Sequence, residues 1–187
     1  MAVHRLPGLQ GSGKNLTLTG MAAYYCESYP DIYTYDRVYA NYHLIFPGSN
    51  YLTNKEMKAF LRKVFAKPED GGEMDTNKWN NIIILVDEID GLYPQWTHGE
   101  KEARRDLSGV YQDEKMHVQL FCTTHKPDNF NKILRDACEV ITIPYYDESS
   151  DTLYIEHLDD RFRGDGEMEI HPASVLFDCY DRAEKVI

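Results

Sequence analysis

The sequence predicts an α/β fold in which a mainly parallel β-sheet is flanked by helices, and three observations predict it. Short apolar or β-branched runs alternate with helical patterns from end to end, the signature of layered strand and helix units. Ile82–Val86 is five consecutive apolar residues between polar neighbours, the composition of a central strand covered on both faces. The segment GLQGSGKN at 8–15 places glycines and a lysine between a strand pattern and a helix pattern.

Taken in order, residues 2–6 read as a brief strand and Lys14–Ser28 as a helix ended by Pro30 and Asp31. Residues 32–40 alternate like a strand. Residues 53–66 place Met57, Phe60, Leu61, Val64 and Phe65 at helical spacing, which predicts an amphipathic helix whose outer face is basic. After the 82–86 strand, residues 98–112 read as a polar helix. Strands are expected at 118–123, 140–143 and 152–157, a tight turn at the Gly-Asp-Gly of 164–166, and a closing helix at 173–185.

A chain of 187 residues is expected to form one domain, spanning 1–187. A hydrophobic content of 42% and 14 tyrosines are too apolar for a disordered chain. No stretch approaches the roughly 18 apolar residues of a membrane span, and residues 1–8 lack the apolar core of a leader. The expected location is therefore the cytoplasm. Cys26, Cys122, Cys138 and Cys179 show no CxxC pairing, and the seven histidines show no metal-binding spacing, so a disulfide framework or zinc site has no support. The formal charge of −11 opposes binding to a polyanion by the chain as a whole, but the charge is uneven. Lys55, Lys58, Arg62, Lys63 and Lys67 cluster in 52–67, whereas 147–169 is strongly acidic.

Gly8, Gly13 and Lys14 stand at the spacing of GxxxxGK[ST], with Gly11 and Ser12 inside the loop. Glycines there let backbone N–H groups curl round phosphate oxygens, the following helix N-terminus adds partial positive charge, and Lys14 supplies a point charge. Asn15 stands where a Ser or Thr hydroxyl would reach magnesium; its amide oxygen is a neutral, bulkier ligand. Thr17, two positions on, points about 200° away round the helix.

IIILVDEID ends the buried strand with two adjacent carboxylates, at the C-terminal edge where an α/β sheet opens into a crevice. In that pattern Asp87 holds magnesium and Glu88 polarises the water that attacks the terminal phosphate, while Asp90 reads as a turn or cap residue. The next strand pattern ends in Thr123, Thr124 and His125. A polar residue there senses phosphate or orients water, and the expectation ranks Thr124 and His125 above Thr123.

Four stretches, GLQGSGKN at Gly8, RVYANYHL at Arg37, IIILVDEIDGLYP at Ile82 and VQLFCTTHKPDNFNKILRDACEVI from Val118, together resemble the FtsK/HerA lineage of motor ATPases, within it the zonula occludens toxin-like and viral genome-packaging proteins. The resemblance implies a RecA-like P-loop core that binds ATP with Mg2+, assembles into a homo-oligomeric ring and translocates DNA in packaging or export. Family members often carry Gln where this chain has His125. Ring motors complete each site with a neighbour's arginine; Arg135 fits that role by position, with Arg104 and Arg105 as alternatives. Two rival functions stay open: a small nucleotide kinase, against which DEID counts, and a nucleotide-dependent interaction module with little hydrolysis, motivated by Asn15.

Overall fold

β1 (Ala2–Pro7) leads into the glycine-rich turn and then α1 (Lys14–Ser28). A 3-10 turn at Tyr35–Arg37 precedes β2 (Val38–Ala40), which is followed by the short β3 (Asn50–Tyr51) and by α2 (Asn54–Phe65). Next come β4 (Ile82–Val86), α3 (Ile89–Leu92), α4 (His98–Asp106), β5 (Val118–Thr124) and α5 (Lys132–Asp136). β6 (Val140–Asp147), β7 (Thr152–Asp159), β8 (Gly164–Ile170) and a 3-10 helix (Ala173–Cys179) complete the order. The computed structural model describes residues 2–8, 11–67, 79–94, 98–110, 117–125, 130–159 and 163–180.

All eight strands form one sheet in the order β3-β2-β4-β5-β1-β6-β7-β8. The pairings from β3 to β6 are parallel; β7 and β8 add two antiparallel strands at one end. β5 lies between β4 and β1, so the strand ending in two carboxylates and the strand feeding the phosphate loop are separated by the strand ending in Thr123, Thr124 and His125.

The unbroken apolar run of β4 follows from burial on both faces. Ile83 and Leu85 join Leu6, Leu18, Met21, Ala22, Val38 and Phe121 under α1, while Ile82, Ile84 and Val86 join Met57, Leu61, Phe65, Leu107 and Leu134 under the helices of the opposite face. A side chain buried this way contributes roughly 1.5–3 kcal/mol against leaving it in water. The third cluster seals the antiparallel end: Leu153 and Ile155 of β7 pack with Leu16, Ala173 and Leu176.

α2 shows how local sequence sets an element. Thr53 caps it, accepting from the Glu56 N–H at 3.3 Å, while the Glu56 carboxylate accepts from the Thr53 N–H at 2.9 Å. Such a box stabilises the helix by about 1 kcal/mol. Its apolar stripe is buried as the spacing predicts, but the basic face is only partly open. Lys58 pairs with Glu102 at 2.5 Å and Arg62 with Asp106 at 3.7 Å, both on α4.

Four elements differ from the sequence reading. Only Val38–Ala40 of 32–40 is strand, because Tyr33 and Tyr35 reach the α1-side core from irregular chain and a 3-10 turn. The polar helix stops at Asp106; Leu107 and Val110 bury from a turn, and 111–112 lie outside the described residues. Gly-Asp-Gly is no turn but the start of β8, where a bulge opposite His157 and Leu158 absorbs the register shift. The closing helix is a 3-10 helix over Ala173–Cys179, and 181–185 lie outside the described residues.

Candidate functional site

The site forms where β1, β4 and β5 end side by side. Gly13 is the N-cap of α1 with φ 89°, a left-handed conformation that glycine adopts without strain. A Cβ there would also lie 3.1 Å from Leu153 Cδ1 and 3.2 Å from Tyr146 Cβ. At Gly8 a Cβ would meet Ser12 Oγ at 2.6 Å. The loop is therefore closed to side chains at both ends. α1 has no side-chain cap and no acidic residue in its first turn, which leaves its first N–H groups and dipole for an anion. Ser12 Oγ is buried with no partner among the described residues, a hydroxyl available to a phosphate oxygen.

Lys14 is buried, its Nζ donating to the Gly8 carbonyl at 2.8 Å and lying 3.4 Å from His125 Nδ1. Burial pushes its pKa down, opposed by the charges of Asp87, Glu88 and Asp90. The amine thus stands on the glycine-rich loop within the electrostatic reach of three carboxylates.

Asp87 is the most constrained group of the site. Its Oδ1 accepts from Thr123 Oγ1 at 2.5 Å and its Oδ2 from Asn15 Nδ2 at 3.0 Å. Its backbone is clamped by Asn41, whose Oδ1 accepts from the Asp87 N–H at 2.7 Å and whose Nδ2 donates to the Asp87 carbonyl at 2.9 Å and to Asn54 Oδ1 at 2.8 Å. Glu88 sits at φ 53°, ψ 55°, a left-handed conformation that costs a non-glycine residue about 1–3 kcal/mol and persists only where neighbours hold it. Those neighbours are Thr123 Oγ1, accepting from the Glu88 N–H at 2.8 Å, and His125 Nε2, 2.7 Å from Glu88 Oε1.

The structure thus brings Gly8, Ser12, Gly13, Lys14, Asn15, Asp87, Glu88 and His125 into one constellation. Gly11 lies exposed on the rim of the loop. The two threonines take separate partners: the Thr123 hydroxyl joins Asp87 to Glu88, while Thr124 is buried and hydrogen-bonds Asp90, whose pKa burial raises. Thr17, bonded to the Gly13 carbonyl at 2.9 Å, faces away as its spacing requires. Arg135 is exposed on α5 and makes no ion pair among the described residues, whereas Arg104 pairs with Glu100 at 2.6 Å and Arg105 with Asp106 at 2.8 Å. Asn41 and Asn54 were not singled out by sequence reasoning. The signal for Asn41 was a polar residue ending an apolar strand inside RVYANYHL.

The strand order decides the architecture: the phosphate-loop strand and the carboxylate strand flank a third strand, with the loop running straight into α1. The chain has a RecA-like P-loop NTPase fold. Solved structures carry the same fold along nearly their whole length. The N-terminal domain of zonular occludens toxin from Neisseria meningitidis is 13% identical with a TM-score of 0.58, covering 96% of this chain and 98% of that one. The DNA-packaging ATPase B204 of Sulfolobus turreted icosahedral virus is 14% identical with a TM-score of 0.51, covering 91% and 97%. The genome-packaging NTPase B204 of Sulfolobus turreted icosahedral virus 2, solved with ATP-gammaS, is 13% identical with a TM-score of 0.50, covering 91% and 97%. No protein-family model matches the sequence, and no curated protein matches it. No described helix of this P-loop NTPase fold is long and apolar enough to cross a membrane.

Proposed function

We propose that this chain is an ATP-hydrolysing motor of the FtsK/HerA type, working as a homo-oligomeric ring that translocates DNA in the packaging or export of a genome, in the cytoplasm of its cell or host. The observation that carries the reading is the convergence of Lys14 with Asp87 and Glu88 on one loop whose N–H groups are uncapped. In this reading the α1 N-terminus and Ser12 bind the phosphates, and Lys14 offsets charge on the terminal one. Glu88, fixed by Thr123 and His125, accepts a proton from the attacking water. The DNA step is supported by the fold shared with proteins named as genome- and DNA-packaging enzymes.

Magnesium fits the residues present. Asp87 carries a carboxylate and Asn15 an amide oxygen, donor types suited to a hard cation, and Asn15 Nδ2 donates to Asp87 Oδ2 at 3.0 Å, so the two side chains stand together. Among the described residues no group of three or more His, Cys, Asp or Glu could hold a metal alone, so the ion would arrive with nucleotide phosphates completing its shell. It would supply neutralisation of phosphate charge. The Asn15–Asp87 hydrogen bond also favours a second reading, an interaction module that binds nucleotide and turns it over little, because Asn15 occupies one carboxylate oxygen of Asp87.

Titration of ATP into wild type and Lys14→Ala tests the site itself. The variant is expected to remain folded and to bind ATP at least about 30-fold more weakly, the equivalent of roughly 2 kcal/mol for a lost charge-assisted contact. Unchanged ATP affinity would show that ATP is not held by the 8–15 loop.

A further inference from the structure

The sheet is covered unevenly. On the face that carries α2 to α5, helices pack over the parallel strands, but the antiparallel end is bare among the described residues. Register fixes what it shows. Arg5, beneath Phe130 on that face, pairs with Ile141, so Ile143 and Tyr145 project to the same side. Their cross-strand partners are Glu156 and Tyr154, which in turn face Glu167 and Glu169 of β8. Tyr145 is 62% exposed, Ile143 39% and Tyr154 38%. The two tyrosine rings stack with centroids 6.2 Å apart, and all three glutamates are exposed with no ion pair among the described residues. An exposed aromatic pair bordered by carboxylates on its β8 side has the composition of a docking surface, and its charge suits a cationic partner.

The complement lies at the other end of the same molecule. Phe60 stacks on Tyr39 with centroids 4.3 Å apart, which seats α2 over β2, at the far end of the strand order from β8. Its outermost stripe is Lys55, Ala59 and Lys63 at helical spacing, continued by Lys67. Lys58 and Arg62 are engaged by α4, but Lys55, Lys63 and Lys67 are exposed and make no ion pair among the described residues. Three lysines flanking a small apolar residue match three glutamates flanking two tyrosines, none of the six in an ion pair among the described residues. Lysine stems cover aromatic rings while their amines reach carboxylates.

We infer that the bare face of β6 to β8 is the seat of α2 from a second copy of this chain, joined head to tail by Lys55, Lys63 and Lys67 against Glu156, Glu167 and Glu169 around the Tyr145–Tyr154 stack. A junction of these two different surfaces that forms once between each pair of copies is heterologous; each copy then keeps one of each open, and such contacts close into rings when the rotation permits. The inference gives the proposed ring an interface and is independent of ATP hydrolysis. It assigns the α2 stripe to protein, leaving DNA to be met elsewhere.

Mass measurement by sedimentation tests it, with two charge-reversed chains. Wild type is expected to associate, more weakly as salt rises. Lys55→Glu/Lys63→Glu/Lys67→Glu and Glu156→Lys/Glu167→Lys/Glu169→Lys should each fold, as read by circular dichroism, yet associate at least about tenfold more weakly, because every junction then opposes like charges. Their equimolar mixture should regain wild-type association, since an alternating assembly restores opposite charges at every junction. Wild type that stays monomeric at high concentration, reversed chains that associate like wild type, or folded chains whose mixture fails to associate would each overturn the interface. So would a lysine-reversed chain that loses only double-stranded DNA binding while its mass is unchanged. ATP binding measured on the same samples reports separately on the nucleotide site.

Discussion

His4 shows what a single buried residue commits the fold to. It stacks on Phe121 with ring centroids 4.2 Å apart, places Nε2 3.2 Å from Gln119 Oε1, and burial lowers its pKa to about 4. In the unfolded chain the same imidazole titrates near 6.5. The unfolded state therefore binds the extra proton first, so stability is full above the unfolded value and falls as pH drops from about 6.5 to about 4. The loss amounts to at most about 3 kcal/mol. Denaturant titrations at pH 7.5 and pH 4.5 should show a clearly smaller acid loss in His4→Gln than in wild type, and equal losses would place the sensitivity elsewhere. At this scale the sequence displayed Lys14, Asp87 and Glu88 because phosphate and carboxylate chemistry leaves a local pattern. Asn41 and Thr123 were not legible in the same way. Their roles arise only when strands bring them to Asp87 across 46 and 36 residues.

Among elements, legibility followed the strength of the local pattern. α1 and α2 matched their expected bounds because the phosphate loop and the Thr53–Glu56 box mark their starts, and β4 because five apolar residues must be covered twice. β2 is shorter than its alternation suggested because tyrosines bury from irregular backbone as readily as from a strand, and the glycines opening β8 serve a bulge that spacing cannot tell from a turn. α5 was missed as an element although its arginine was singled out. Asn131 caps it, accepting from the Ile133 N–H at 3.0 Å, and leaves Arg135 exposed without an ion pair among the described residues. In the proposed ring this residue reaches a neighbour's terminal phosphate. Arg135→Ala is then expected to bind ATP normally but hydrolyse it on the order of 10³-fold more slowly. Mixing it with Lys14→Ala should restore part of the activity that both homogeneous assemblies lack. A mixture that stays inactive while subunits exchange would turn attention to Arg104 and Arg105.

Across the whole molecule, one sheet serves two ends. Its C-terminal edge gathers the loop of β1, the carboxylates of β4 and the polar end of β5 into the proposed nucleotide site, and its length separates a lysine stripe on α2 from a glutamate-rimmed face on β6 to β8. A net charge of −11 alone would describe neither. If the first of these is a hydrolytic site, phosphate release from ATP and magnesium by wild type and Glu88→Gln, with binding of labelled ATP followed in the same samples, will report it. The expected result is turnover by wild type, ATP binding by both, and a loss of on the order of 10²-fold or more in turnover by the variant, whose amide cannot accept the proton of water. Binding by both chains with no turnover by wild type, or full turnover by Glu88→Gln, would contradict it.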